Sequence, residues 1–142
     1  MSRKKQTKKV YESWQTNGNS NFMQIFHDFF DSKAWQDLSA HDRDLYMFML
    51  RKHQRKTNFG IVEKSNYNDI SMPKSEYEKI MSNKTFYKSI DSLIEHGFVR
   101  VVRSGYLEKI CNIYSFSDSW KQYGNKNFEI KNEWRRVKRK IN

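Results

Sequence analysis

The chain has 142 residues, of which 37% are hydrophobic and 15% aromatic, and it carries a formal net charge of +11. A chain of this length can bury one core of ordinary size, which excludes two full domains. Its single cysteine, Cys111, excludes an intramolecular disulfide framework, and its longest apolar run, within Tyr46–Leu50, is far shorter than the ~20 residues that span a bilayer.

The positive charge is concentrated at the two ends of the chain. Residues 1–10 hold five bases and no acid, and residues 131–140 hold six bases and one acid, so the ends carry +10 and everything between them +1. No apolar stretch follows the basic start, so we predict neither a signal peptide nor a membrane anchor and expect a cytoplasmic protein. Basic tails displace counterions that are condensed on phosphates, which favours nucleic acid over a purely solubilising role. The tail residues that we expect to contact the DNA backbone are Arg3, Lys4, Lys5, Lys8, Lys9, Arg135, Arg136, Lys138, Arg139 and Lys140.

The chain is predicted to begin with a flexible arm. Residues 1–20 are polar and predict an arm that is disordered until bound. The fold is predicted to begin near Asn21 with an apolar segment, Phe22–Leu38, whose spacing fits either short helical pieces or an extended lead-in. Ser39 and Asp42 then have the spacing of a capping box, which predicts a helix that runs to about Arg55.

The middle of the chain predicts a loop, a short strand and a short helix. The turn-forming residues within Thr57–Asn68 favour a loop, and Asp69–Met72 follows as an extended stretch. Pro73 permits a helix start, and this helix is predicted to end near Met81. Its buried side is predicted to consist of Tyr77, Ile80 and Met81.

A longer helix is predicted over Lys84–His96, with Ser82 or Asn83 as its cap. Its apolar residues recur at intervals of four, three and one, which places them on one face. Gly97 closes the helix, because glycine tolerates the left-handed conformation that ends many helices. The residues of the apolar face are Phe86, Ile90, Leu93 and Ile94.

Beyond Gly97 the pattern predicts two strands. Phe98–Arg103 is rich in β-branched residues, Ser104 and Gly105 favour a turn, and Ile110–Phe116 forms the second strand of a hairpin. Ser117 is predicted to cap a last short turn that Gly124 ends. The predicted domains are therefore the arm 1–20, a DNA-binding domain over 21–124 and a basic extension over 125–142.

A short helix, a tight turn, a longer helix and a strand hairpin form the order of a winged helix-turn-helix, which is an α+β fold. The second helix of such a pair fits the major groove of DNA, and the hairpin can contact the neighbouring backbone. Tyr87 fits packing against the hairpin as well as contact with DNA. The residues that we expect to bind DNA are Ser82, Asn83, Lys84, Thr85, Tyr87, Lys88 and Ser92 on the helix, and Arg100, Arg103, Tyr106 and Lys109 on the hairpin.

The chain also resembles the winged-helix proteins of Gram-positive conjugative plasmids and integrative elements. The resemblance covers about residues 21–124 and rests on the stretches Ser32–Ser39, Asp42–Tyr46, Ser82–Phe98 and Asn112–Trp120. It implies binding of double-stranded DNA at a transfer origin as a relaxosome accessory factor, or initiation of plasmid replication. It also implies that Ser82–Lys88 holds the recognition positions and Arg100–Lys109 the wing. The basic tails are not part of the shared pattern.

No catalytic or metal-binding pattern is visible in the sequence. The histidines and Cys111 lack the spacing of a metal site, and neither a phosphate-binding glycine loop nor the histidine cluster of a relaxase is present. Asp42 and Asp44 would point to different sides of a helix, which argues against a shared catalytic proton. We therefore predict that the protein is not an enzyme and uses no cofactor or metal. Cys111 is interpreted as a small buried residue of the second hairpin strand.

These patterns together predict sequence-specific binding of double-stranded DNA in the service of conjugation, with a relaxase or other mobile-element proteins as partners. A plasmid replication initiator or a transcriptional repressor is the alternative within the same class. An interaction adaptor without sequence-specific DNA binding, whose hairpin binds a relaxase or coupling protein, is the alternative from another class. A homodimer is left open, because Trp14, Phe128 and Trp134 fit either a dimer contact or an extension of the core.

Overall fold

The computed structural model describes residues 14–16, 23–53, 55–58, 61–105 and 110–129. Five α-helices, one 3₁₀ helix and seven strands lie in these ranges, so the predicted α+β class is confirmed. None of the described helices is both long enough and apolar enough to cross a bilayer.

The entry to the fold contains both kinds of structure that the sequence left open. Strand β1 (Trp14–Thr16) pairs antiparallel with β2 (Met23–Ile25), and helices α1 (His27–Asp31) and α2 (Lys33–Gln36) follow. Ser32 separates the two helices, because its hydroxyl accepts from the Trp35 amide at 3.2 Å and donates to the Phe29 carbonyl at 2.8 Å. The prediction that residues 1–20 are disordered is wrong for Trp14–Thr16, which form β1.

Helix α3 (Ala40–Lys52) begins at the predicted capping box. The Ser39 hydroxyl accepts from the Asp42 amide at 3.3 Å, and the Asp42 carboxylate accepts from the Ser39 amide at 3.1 Å. Each side chain thereby satisfies one backbone donor of the first turn. The helix ends at Lys52, earlier than predicted, because His53 is already extended.

A second hairpin replaces the loop that was predicted over Thr57–Asn68. Strands β3 (Arg55–Asn58) and β4 (Ile61–Ser65) pair antiparallel, with Asn58 opposite Ile61. Asn58, which the sequence assigned to the loop, therefore lies at the end of β3.

The second half of the described chain follows the predicted order. Strand β5 (Ile70–Ser71) precedes helix α4 (Lys74–Tyr77), and helix α5 (Asn83–Glu95) precedes strands β6 (Val99–Arg103) and β7 (Ile113–Phe116). The three strands form an antiparallel sheet in the order β5-β7-β6. A 3₁₀ helix (Ser119–Gln122) follows at the position of the predicted last turn, and the Ser117 hydroxyl accepts from the Ser119 amide at 3.2 Å.

Aromatic side chains join these elements into one core. The ring of Phe29 in α1 lies 5.7 Å from that of Tyr46 in α3, 5.7 Å from that of Phe98 and 5.2 Å from that of Trp120 in the 3₁₀ helix. The predicted apolar face of α5 is confirmed, since Phe86, Ile90, Leu93 and Ile94 are all buried, and Leu45 and Met49 of α3 are buried as well.

Two residues that the sequence predicted to be buried are exposed. Ile80 is 42% exposed, because the chain leaves the helical path after Tyr77 and turns before α5 begins. Cys111 is exposed and precedes β7, so its interpretation as a buried strand residue is wrong.

Gly97 permits a close approach of the chain behind α5. Its φ is +84°, and a Cβ atom at this position would lie 2.6 Å from the Trp120 backbone nitrogen. The Gly97 carbonyl accepts from that same nitrogen at 3.0 Å. Phe128 also packs over Gly97 and contacts Tyr123 with ring centres 5.4 Å apart, so Phe128 extends the core. Trp134 and the side chain of Trp14 lie outside the described residues.

We expect Gly97→Ala to destabilise the fold much more than Gly124→Ala. Both glycines have nearly the same positive φ, but the nearest atom to a Cβ at Gly124 is 3.5 Å away, in the flexible Lys33 side chain. Gly124→Ala should cost only the ~1–2 kcal/mol of the left-handed conformation. Gly97→Ala should cost roughly 1–3 kcal/mol more, because the Trp120 backbone must move. Urea unfolding of both variants measures the difference, and equal losses would contradict the close approach.

The protein is also expected to lose stability above pH 10 through Tyr67. Burial, and to a smaller extent the Asp118 carboxylate, raise the pKa of Tyr67 to about 12 against the opposing effect of Arg100. The folded state therefore keeps this proton between pH 10 and 12 whereas the unfolded state loses it, so the free energy of unfolding falls as the pH rises through that window. Urea unfolding of wild type and Tyr67→Phe between pH 8 and 11 should show a shallower fall for the variant. Parallel curves would contradict the assignment.

Candidate nucleic-acid interface

The N-terminal turn of α5 is fixed by Ser82. Its hydroxyl accepts from the Thr85 amide at 3.2 Å and donates to the Thr85 hydroxyl at 3.0 Å. Ser82, Asn83 and Lys84 are exposed, and Thr85 is half-buried. The sequence left the cap open between two residues, and the structure assigns it to Ser82.

The charged residues along α5 run against the helix dipole. Lys84, Lys88, Asp91 and Glu95 follow at spacings of four, three and four residues, which places them on one face. The two exposed lysines occupy the N-terminal half, and the two half-buried acids occupy the C-terminal half. A helix is stabilised by acids at its N-terminus and bases at its C-terminus, so this order weakens the isolated helix.

Tyr77 fixes α4 against the start of α5. Its ring lies parallel to that of Phe86, with centroids 3.8 Å apart and planes inclined by 2°. Its hydroxyl donates to the Asn83 side-chain oxygen. Burial raises the pKa of Tyr77, and the nearby Tyr87, Glu78 and Cys111 raise it further, so the hydroxyl stays a donor at neutral pH.

Tyr77 is a site residue that the sequence reasoning treated only as core. Helical periodicity predicted its burial but could not show which polar partner its hydroxyl would find. The available signal was the spacing of six residues between Tyr77 and Asn83, which brings the end of one helix to the start of the next.

Tyr87 is half-buried and packs against the core, with its ring 5.2 Å from that of Phe86 at an angle of 72°. Part of the Tyr87 side chain therefore packs against the core, and the rest is accessible to solvent on the helix that also carries Lys84 and Lys88.

The hairpin of β6 and β7 carries two exposed arginines. Val99 and Val101 are buried and Arg100 is exposed, as the alternation of a half-buried strand requires, and a register shift between Val101 and Arg103 leaves Arg103 exposed as well. The predicted sites Tyr106 and Lys109 lie outside the described residues, as do all the predicted tail contacts.

Asn112 closes the base of this hairpin. The Gly105 amide donates to the Asn112 side-chain oxygen at 2.8 Å, and the Gly105 carbonyl accepts from the Ile110 amide at 3.0 Å. A Cβ at Gly105 would lie 2.1 Å from the Ile110 carbonyl oxygen, so only glycine fits this position. The two arginines therefore precede a position that only glycine can occupy.

Ser92 does not lie on the exposed face where the sequence placed it. It is half-buried, and its hydroxyl donates to the Asp42 carboxylate of α3 at 2.7 Å. Ser92 follows the buried Ser89 by three residues, which turns both toward α3. Ser92 therefore links α5 to the capping box of α3, and we no longer expect its hydroxyl to contact DNA.

We expect Ser92→Ala to destabilise the protein by about 1–3 kcal/mol, since it removes a hydrogen bond to a buried carboxylate. Ser75→Ala is the matched control, because Ser75 is an exposed helical serine, and it should change stability by less than ~0.5 kcal/mol. Thermal and urea unfolding measure both. Equal small effects would show that the Asp42 contact contributes nothing.

The described surface thus offers cations and hydrogen-bond donors from α5 and from the hairpin. No group of three or more histidine, cysteine, aspartate or glutamate residues in the described ranges is placed to hold a metal ion. Comparison of the whole chain with protein-family models, with curated proteins and with solved structures finds no match.

Proposed function

We propose that the protein binds a specific site on double-stranded DNA as a winged helix-turn-helix. The elements α3, β5, α4, α5, β6 and β7, with the strand order β5-β7-β6, are compatible with this fold. In this proposal α4 and α5 are the helix pair and the hairpin of β6 and β7 is the wing. Fold alone does not imply function, so the proposal depends on the chemistry of the exposed face.

The charge order along α5 carries the proposal. Lys84 lies in the first turn of α5, at the positive end of the helix dipole, and Lys88 follows one turn later, so the dipole opposes Lys84 and mutual repulsion opposes the pair. A polyanion at this end reverses both costs. A face selected only for solubility would be better served by acids there.

The same charge order gives the helix a direction on DNA. The N-terminal half of α5 enters the major groove, where Lys88 can reach guanine edges and Lys84 can reach guanine or phosphate. The C-terminal half, with Asp91 and Glu95, lies away from the phosphates. The Thr85 hydroxyl, which Ser82 holds in place, donates to a phosphate oxygen and sets the register, and Arg100 and Arg103 contact the backbone beside the groove. Tyr106, Lys109 and the basic tails are proposed to add backbone contacts.

The resemblance to proteins of conjugative elements gives the biological proposal. The protein would mark a transfer origin as a cytoplasmic relaxosome accessory factor, beside a relaxase. Replication initiation and transcriptional repression use the same DNA contacts, and footprinting over the neighbouring non-coding DNA separates these roles by the site that is protected. An adaptor without sequence-specific DNA binding would protect no site.

We expect Lys84→Glu to weaken DNA binding while it stabilises the fold. The acid complements the dipole of α5 and should add ~0.3–1 kcal/mol to the free energy of unfolding. The reversed charge should weaken binding by about tenfold or more, because a phosphate or guanine contact becomes repulsive. Lys33→Glu is the matched control, since Lys33 is exposed on α2 and lies outside α5, the hairpin and the basic tails. Equal losses of binding in the two variants would reject α5 as the contact face.

Lys88→Ala tests whether Lys88 contributes to sequence-specific DNA binding or only to general electrostatic attraction. The preferred duplex is first selected from a random pool with the wild-type protein. Lys88→Ala should then weaken binding to this duplex more than to a random one, whereas deletion of residues 1–10 should weaken both alike. If six phosphates are neutralised, the logarithm of the wild-type binding constant should fall with that of salt concentration at a slope of about −5. Equal losses on both duplexes for Lys88→Ala would reject its reading role.

A further inference from the structure

The hairpin of β3 and β4 places two lysines opposite each other. In its register Lys56 of β3 pairs with Lys64 of β4. Opposite positions of an antiparallel pair lie on one face, and like charges at such positions destabilise the sheet. The one acid that the sequence holds between Arg55 and Ser65 is Glu63, and it lies where the register shifts, so it is not opposite Lys56. The hairpin thus forgoes the favourable pair of Lys56 and Glu63 that a shift of one residue would give.

The sequence around this hairpin adds further positive charge. Residues 51–65 hold five bases and one acid, whereas the rest of the chain between residues 11 and 130 holds more acids than bases. The dipole of α3 accounts for Arg51, which is exposed in its last turn, but not for lysines on the strands that follow. Lysines on exposed strands also deter aggregation, yet a lysine opposite a glutamate would do so without the repulsion. Neither stability nor solubility therefore explains the lysine pair.

The base of this hairpin is fixed to the helix pair. The Asn66 side-chain amide donates to the Lys52 carbonyl at 2.8 Å, which joins the chain before β3 to the chain after β4. The Lys52 ammonium donates to the Ser71 carbonyl of β5 and forms an ion pair with Glu76 of α4. Strands β5 and β6 are the two edges of the three-stranded sheet. The base of the basic hairpin is therefore tied to one edge, and the wing strand β6 forms the other.

We propose that the hairpin of β3 and β4 is a second contact with the DNA backbone, in which Lys56 and Lys64 bind phosphate groups outside the groove that α5 occupies. Phosphate relieves the repulsion between the two lysines, and each lysine displaces a counterion from the duplex. Phosphate contacts carry no sequence information directly, so this hairpin adds affinity without specificity. The inference rests on the proposed DNA binding and extends its contact surface beyond α5, the wing and the tails.

The salt dependence of binding tests the two contacts. Lys56→Gln/Lys64→Gln removes both charges and keeps polar side chains on the hairpin. The slope of the logarithm of the binding constant against that of salt concentration should become shallower by about 1.8, or about 0.9 for each lost phosphate contact. This change should be the same on the preferred and on a random duplex. Lys33→Gln is the matched control, since Lys33 is exposed on α2, and it should leave the slope unchanged. Urea unfolding of both variants separates a lost contact from a lost fold.

Hydroxyl-radical footprinting then locates the contact on the preferred duplex. The double variant should lose protection at one end of the wild-type footprint and keep it at the centre. A duplex shortened to the remaining footprint should be bound equally by both proteins. An unchanged slope, a loss confined to the preferred duplex, or a loss that persists on the shortened duplex would overturn the inference while leaving the proposed function intact. A wild-type protein that binds no duplex would overturn both.

Discussion

The parallel contact between Tyr77 and Phe86 is the interaction on which the exposed face of α5 depends. Helix α4 is a single turn, Lys74–Tyr77, and is too short to be stable by itself. Its position is fixed because its last residue lies flat on the first buried side chain of α5. The start of α5 is therefore held by tertiary packing, and this end carries the lysines, the cap and Asn83. The opposite side of α5 is tied to α3 through Ser92 and Asp42, so the helix is fixed from two directions and one face remains open.

Stability and the proposed function place opposite demands on that open face. The dipole of α5 favours acids at its N-terminus, and the sequence puts Lys84 there, with Lys88 one turn later. The dipole cost at Lys84 and the repulsion between the two lysines are a few tenths of a kcal/mol each, which is small beside the burial of the four apolar side chains of the inner face, at about 1.5–3 kcal/mol each. The core can thus support an unfavourable surface, which is the expected position of a binding site in a stable fold.

The elements that the sequence predicted are those determined by local chemistry. The capping box of Ser39 and Asp42, the apolar period of α5 and the left-handed Gly97 each involve residues close together in the chain, and all three are found. The hairpin of β3 and β4 was missed because composition favours a turn equally in a loop and between paired strands. Ser92 was misplaced because a polar residue beside a helix face does not reveal whether its partner is solvent or, as here, a carboxylate 50 residues away in the chain. The candidate face was therefore predicted in outline, and its members were decided by tertiary contacts.

The side chains at the start of α5 share one property that sequence alone does not show. The Ser82 oxygen accepts from the Thr85 amide, the Thr85 hydroxyl oxygen accepts from Ser82, and the Asn83 oxygen accepts from Tyr77. Each of these side chains thus has an acceptor engaged inside the protein. The backbone N–H groups at the start of a helix have no intrahelical partner, Asn83 keeps its amide hydrogens and Lys84 adds an ammonium group, so several donors are available at this turn. A surface of this kind complements a ligand rich in acceptors and negative charge and is poorly matched to a basic or donor-rich protein surface. The internal hydrogen bonds of the turn therefore argue in the same direction as the order of charges along the helix, although the two arise from different residues and different physics.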